Sequence, residues 1–267
     1  MSPRALITLT VDVEDYAPKG EAVRADEVIR RMLDQLEAQS ISGTFFVVGE
    51  LAASHPEMVR SIAQRGHEVG LHGWRHVPLP ELRPHELRSD LDRGTKLLED
   101  LTGSAVAGFR APTFSLVPQS YWATDLLSEA GFRYSSSVLP AKSPLWGDPT
   151  APRHPFRWPN GLIELPCPVV NFGSIANPYL GGAYLRVLPY ALVRYGLAQA
   201  AGDELLWLYC HPYDFDPHEP FRRREELGTL GSRVMWIGRS RMQGKVNKVL
   251  KGRKSVPLRD RLDDLSI

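Results

Sequence analysis

Residues 66–76, GHEVGLHGWRH, hold the side chains best suited to chemistry. His72 and His76 stand four residues apart, just past a short apolar run at 68–71 that glycines bound. Two imidazoles at that spacing can turn toward one point, whether the backbone there is a helical turn or a tight loop. Zinc catalytic sites commonly take three protein ligands and leave a fourth position for water. An H-x3-H pattern alone is short and equally describes two polar loop histidines. It gains meaning only if a third ligand, a base and an acid come from elsewhere in the chain.

Other chargeable side chains stand where apolar runs end. Residues 5–13 are apolar with alternating threonines and close on Asp12, Glu14 and Asp15; residues 105–109 close on Arg110; residues 205–210, LLWLYC, close on His211. A strand sends alternate side chains to opposite faces, so Asp12 and Glu14 share a face and Asp15 is the next residue into the loop. One carboxylate of this group can complete a two-His, one-carboxylate zinc site, and a second can stand beside the metal's water as base. Zinc lowers the pKa of such a water to about 7. Arg110 can clamp the base carboxylate through paired N–H bonds. His211 can face the substrate from the opposite side as proton donor. The sum is metal-assisted hydrolysis of an amide or ester, with protonation of the leaving nitrogen. Each residue alone has a plainer reading, as a loop cap, a surface ion pair or a core histidine. Their shared position at strand ends favours the joint one. Cys210 and His211 are strand neighbours that point to opposite faces, so they do not form a nucleophile–base pair.

The elements that must position these residues follow from periodicity. Strands are expected at 5–13, 44–48, 68–71, 105–109 and 132–138, with helices at 21–39, 51–64, 86–101 and 121–130. Such alternation implies parallel strands with helices outside, either an open doubly wound sheet or a barrel, and both gather ligands at the carboxyl ends of their strands. Residues 140–182 read as an irregular, proline-rich insertion near the cleft, apart from a short strand at 162–166. A helix is expected at 188–200, and residues 221–267 as a basic C-terminal helix and tail. With a total charge of only +1, that basic stretch is read as a solvated surface rather than a polyanion site.

A chain of 267 residues with 43% hydrophobic content can form one large α/β domain. Its near-neutral charge gives no global field favouring nucleic acid or a membrane surface. Two cysteines are too few for a disulfide scaffold and suggest buried free thiols in a reducing compartment. With neither an apolar leader nor a membrane-length apolar run in sight, the expected location is cytoplasmic.

The segments TVDVEDY, TFFVVGELAASHPEMVRSIAQRGHEVGLHGWRH, GFRAPTFS and YCHP follow one another in the order found in polysaccharide deacetylases that share the NodB homology domain, carbohydrate esterase family 4. The sequence resembles that family from residue 6 to residue 216, and most of all its subgroup with a DVED first motif. The resemblance implies a distorted (β/α) barrel with fewer than eight strands, a divalent metal, usually Zn2+, and an N-acetylated carbohydrate or glycoconjugate as substrate. Carried over by motif, Asp12 matches the general base, His72 and His76 the metal-binding histidines, Arg110 the arginine that orients the base, and His211 the general acid. Pro112 of the third motif is expected to contact substrate, and Trp146, Trp158 and Tyr179 of the insertion to stack on sugar rings.

The sequence departs from the family pattern twice. Many members have two adjacent aspartates in the first motif, the second binding metal, where this chain has Asp12-Val13-Glu14-Asp15. Strand alternation favours Glu14 as the ligand; a bulge after Val13 would favour Asp15. Related sequences often carry an aspartate where this one has Ser135, which leaves open how His211 is tuned. Two further functions remain on the same fold: hydrolysis of a non-sugar amide or cyclic imide, and catalytically silent carbohydrate binding. Oligomeric state is not legible.

Overall fold

In the computed structural model, which describes residues 6–16, 23–223 and 228–267, the run TLTVDV forms strand β1 (Thr8–Val13), buried at every position. Burial on both faces explains its apolar composition, and its threonines find carbonyl partners: Thr8 Oγ1 donates to Val256 O and Thr10 Oγ1 to Leu208 O. Helix α1 (Ala25–Ala38) turns Val28, Ile29, Met32, Leu33 and Leu36 to the core, and β2 (Gly43–Val47) follows. The single helix expected over 51–64 is two, α2 (Gly49–Ser54) and α3 (Pro56–Gln64). Pro56 lacks the N–H that would continue the first, while its fixed φ suits the first turn of the second. Then come β3 (Glu68–Leu71), α4 (Pro84–Thr102), β4 (Gly108–Phe109), α5 (Ala123–Glu129) and β5 (Tyr134–Ser135).

The second half holds β6 (Phe156–Arg157), β7 (Ile163–Glu164), β8 (Val169–Phe172), β9 (Ile175–Pro178), α6 (Gly182–Val187), α7 (Tyr190–Gln199), β10 (Trp207–Cys210), α8 (Gly228–Trp236) and α9 (Arg239–Leu250). The stretch 140–182, expected to be irregular apart from a strand at 162–166, carries that strand as β7 and three more, of which β8 and β9 make a separate antiparallel ribbon. Strands of two to four residues are too short to show a period in sequence.

The main sheet runs β10-β1-β2-β3-β4-β5-β7-β6. Every pairing from β10 to β7 is parallel, and β6 alone is antiparallel, to β7. The result is of the distorted barrel type expected, a half-barrel, but its sheet has eight strands where fewer were expected, because the short antiparallel edge strand β6 adds to seven parallel ones. Because the wall is parallel, all its carboxyl ends open on one rim. β10, late in the chain, pairs with β1, and β7 pairs with β5, so both halves of the chain complete one sheet.

The basic C-terminal stretch is only partly a solvated surface. Met242, Val246, Val249 and Leu250 of α9 are buried, and so are Arg239 and Arg261. Cys167 and Cys210 are buried free thiols. No helix among the described residues is long and apolar enough to cross a membrane.

Candidate active site

Glu14, His72 and His76 each offer a ligand atom, and these atoms lie within 4.8 Å of one another. Nε2 of His72 is 3.8 Å from Oε2 of Glu14, and Nε2 of His76 lies against the same oxygen without the alignment of a hydrogen bond. Nδ1 of His72 is 2.9 Å from the carbonyl of Arg110. A carbonyl only accepts, so Nδ1 carries the proton and Nε2 presents its lone pair to the site. The segment between the two histidines is a loop, not a helical turn. Gly49 and Glu50, the first residues of α2, donate their N–H groups to the carbonyls of Gly73 and Trp74 and pin that loop. His76 then takes a left-handed backbone, φ 57°, rare for a residue with a side chain. This turn swings its ring back to 5.0 Å from that of His72.

Electrostatics match a cation site. Burial disfavours charge on His72 and holds its pKa at about 4, which leaves Nε2 free as a donor. Burial alone would raise the Glu14 carboxyl, but the imidazoles of His76, His211 and His72 hold it far below its ordinary value. Two imidazole nitrogens and a buried carboxylate oxygen suit zinc or a similar divalent transition ion.

Of the two rival carboxylates, the geometry brings Glu14 to the histidines. β1 pairs with β2 in unbroken register through Val13, and just past it Oε2 of Glu14 comes within 3.8 Å of Nε2 of His72. Oδ2 of Asp15 instead accepts the N–H groups of Arg24 and Ala25, at 2.8 Å each, at the start of α1. The expectation of a metal role for Asp15 is corrected accordingly.

Arg110 is fully buried at the end of β4, with Nη1 2.7 Å from Asp12 Oδ1 and 2.8 Å from Thr10 Oγ1. Nε and Nη2 reach Ser136 O and Oγ at 3.1 and 3.0 Å. Only one of its nitrogens reaches Asp12, where paired bonds were expected; the rest of the fork holds Ser136, just past β5. The rings of Phe46 and Trp207 flank the guanidinium at 4.2 and 4.4 Å, a setting that suits a planar, weakly hydrated cation.

His211 stands across the rim, at the end of β10. Its Nε2 is 3.9 Å from Asp12 Oδ2 and 3.8 Å from Glu14 Oε1, and its ring stacks on Tyr213. Its Nδ1 is 2.9 Å from Oδ2 of Asp214, a fully buried carboxylate that the sequence reading missed. Burial works against charge on His211, but Asp214, Glu14 and Asp12 outweigh it and raise its pKa. The signal was present in HPYD: a proline-led 3-10 turn, Pro212–Phe215, brings residues three apart together. Arg186 Nε lies 2.6 Å from the other Asp214 oxygen and left no signal in sequence.

The expected substrate contacts fare differently. Pro112 is buried against the histidine loop, 3.3 Å from where a Cβ on Gly73 would sit. Tyr179 is fully buried with its ring on Gly196 of α7, so it is a core residue and not part of a sugar platform. Trp158 packs edge-on against Tyr121 and Phe156, and Trp146 is half-buried in the loop before β6. The aromatic rings found beside the metal-type cluster are Tyr16, 5.8 Å from His76, and Tyr213, 5.6 Å from Tyr16. Ser135 is buried, its hydroxyl donating to Ser137 Oγ.

Residues 2–135 match the family model described as polysaccharide deacetylase. The chain belongs to the polysaccharide deacetylase family. A second model, a domain of unknown function (DUF3473), matches residues 136–262. Among the family's curated members, a peptidoglycan-N-acetylglucosamine deacetylase of Bacillus cereus is 32% identical over 100 residues, 37% of this chain and 36% of that protein. Chitin deacetylase 1 of Cryptococcus neoformans is 35% identical over 81 residues, 30% of this chain and 17% of that one. The match thus spans little more than a third of these relatives' length, or less. A solved structure from Mycobacterium smegmatis, described as a polysaccharide deacetylase, superposes with TM-score 0.62 at 23% identity over 97% of this chain and 91% of that one. A family 4 pseudoenzyme from Bacillus anthracis gives 0.54 at 12% identity over 98% and 67%. Identities this low speak for the fold, and the half-barrel described above is the family's.

Proposed function

We propose that the protein is a metal-dependent hydrolase that removes the N-acetyl group from an amino sugar in a glycan or glycosylated metabolite. The observation that carries this reading is the convergence of Glu14, His72 and His76 within 4.8 Å, with Asp12 and His211 facing the same space. Family relatives named for peptidoglycan, chitin and chitooligosaccharide support an N-acetyl sugar amide as the bond attacked.

In this proposal Glu14, His72 and His76 hold the cation. A divalent transition ion bound there, zinc by its donor set, supplies Lewis acidity to water and to the acetyl carbonyl. Asp12, aimed by Arg110, takes the proton of the attacking water as its oxygen bonds to the acetyl carbon. The carbon–nitrogen bond then breaks, and Nε2 of His211 gives its proton to the leaving nitrogen. Acetate and a free amine result. His211 suits the acid role because its carboxylate neighbours favour its protonated form.

The test is metal analysis combined with acetate release from N-acetylglucosamine oligomers and other N-acetylated glycans. The wild type should hold one divalent ion per chain and release acetate, and His72→Ala should lose both. A metal-loaded protein that releases no acetate from any such glycan, or a His72→Ala variant that still does, would sink the reading. Ring-opened products from cyclic imides, without acetate release, would instead indicate the non-sugar amide reaction.

A further inference from the structure

We propose that Arg186 is a positioning residue for the proton donor, and that the helices following residue 228 act on catalysis through it. The inference rests on the acid role given above to His211. Ser135 bonds within its own strand end, to Ser137. The carboxylate that meets His211 is Asp214. Its Oδ2 lies 2.9 Å from Nδ1 and also accepts the His211 backbone N–H at 2.8 Å. An ionised carboxylate only accepts, so Nδ1 is the protonated nitrogen of that pair and Nε2 faces the cleft.

Asp214 is itself held from behind. Its Oδ1 is 2.6 Å from Nε of Arg186, and both side chains are fully buried. Arg186 lies on α6, and its Nη1 donates to the carbonyls of Met235 and Ile237 at 2.8 and 2.9 Å, where α8 ends. Lys245 of α9 closes the end of α6 in turn, with Nζ at 2.8, 2.7 and 2.7 Å from the carbonyls of Leu185, Arg186 and Leu188. Gly238, with φ 79°, sits so close that a Cβ there would meet Arg186 O at 2.8 Å. A guanidinium taken out of water this completely must be paired and hydrogen-bonded to persist. Asp214 pairs with it by charge on one side, and on the other the carbonyls at the end of α8 accept from Nη1, while Nε and Nη2 meet no aligned acceptor. The line therefore runs from α8 through Arg186 and Asp214 to the imidazole. It gives the region matched by the domain of unknown function a task in the reaction: aiming the acid.

The zinc-loaded chain of 267 residues is compared with Arg186→Met, Arg186→Lys and Asp214→Asn on two probes, an N-acetylglucosamine oligomer and p-nitrophenyl acetate. The amine leaves the first only with a proton, whereas p-nitrophenolate leaves the second without one. In Arg186→Met and Asp214→Asn the amide-to-ester ratio of kcat should fall roughly 10- to 100-fold, the size typical of lost outer-sphere support. Arg186→Lys should recover part of it. A general loosening of the fold would lower both rates and keep the ratio, and an unchanged ratio overturns the proposal. Should Arg186→Met fail to fold, Arg186→Lys and Asp214→Asn make the same comparison. A second readout needs no substrate: the low-field proton resonance of the His211 Nδ1–H···Asp214 bond. Its loss or shift in Arg186→Met supports the proposal, and its persistence at the wild-type position overturns it. If the wild type releases no acetate, the deacetylase reading fails by itself, and this resonance still decides the role of Arg186.

Discussion

The carboxylate of Glu14 meets two imidazoles, while that of Asp15, one residue on, accepts two backbone N–H groups at the start of α1. Strand alternation separates the two tasks. Glu14→Ala is expected to lose stoichiometric metal. Asp15→Ala should keep it and lose about 1 kcal/mol of stability, the usual cost of removing such a cap. Metal analysis and urea unfolding of the metal-free proteins check both, and a metal-free Asp15→Ala protein would reverse the assignment. Asp214 teaches a related lesson. It stands three residues from His211, yet its role depends on both side chains being folded back by one 3-10 turn.

At the scale of elements, β5 and β7 explain how the chain tolerates Ser135. Ser135 pairs in register with Glu164, which is buried, and Glu164 Oε1 accepts the N–H groups of Ser137 and Val138 at 2.7 and 2.9 Å. Burial raises the Glu164 carboxyl above the usual range, only partly offset by these donors. An aspartate at 135 would put a second acid beside it. Ser135→Asp should therefore cost on the order of 3 kcal/mol of stability. It should bring no gain in rate, because Nδ1 of His211 already has Asp214 as partner. Denaturant midpoints and acetate-release rates test this, and a faster, equally stable variant would show the reasoning wrong.

For the whole molecule, β10 borders β1 and β7 borders β5, so neither half owns a complete sheet. Residues 1–135 expressed alone would expose the edges of β1 and β5, and are expected not to fold cooperatively. A sharp, native-like unfolding transition for that fragment would contradict this.

The fold also carries a pH dependence. His67 is buried, and its Nδ1 accepts the N–H of Gly43 at 3.2 Å. Burial, with the Arg65 charge adding to it, lowers its pKa from 6.5 to about 4. The folded chain thus keeps His67 neutral while the unfolded chain takes up a proton as pH drops below 6.5. Its contribution is full above that value and is lost as pH falls to about 4, up to about 3 kcal/mol in all. His67→Asn retains an acceptor for Gly43 without titrating. Urea unfolding at pH 7 and pH 4.5 should show the wild type losing more stability than this variant.

The sequence by itself determined the alternation of strands and helices, the rim residues, and the face shared by Asp12 and Glu14. These follow from local periodicity and from polar residues ending apolar runs, which are properties of neighbours along the chain. It did not determine the partners of Asp214, the burial of Tyr179, or three of the four short strands in 140–182. Arg186 and Asp214 are 28 positions apart and come from different elements, so no period links them, and two-residue strands exist only because a neighbouring strand supplies their hydrogen bonds. Strand alternation favoured Glu14 over Asp15, but only the tertiary structure brings Glu14 to His72 and His76 and sends Asp15 to the start of α1, because those contacts join segments far apart in the chain.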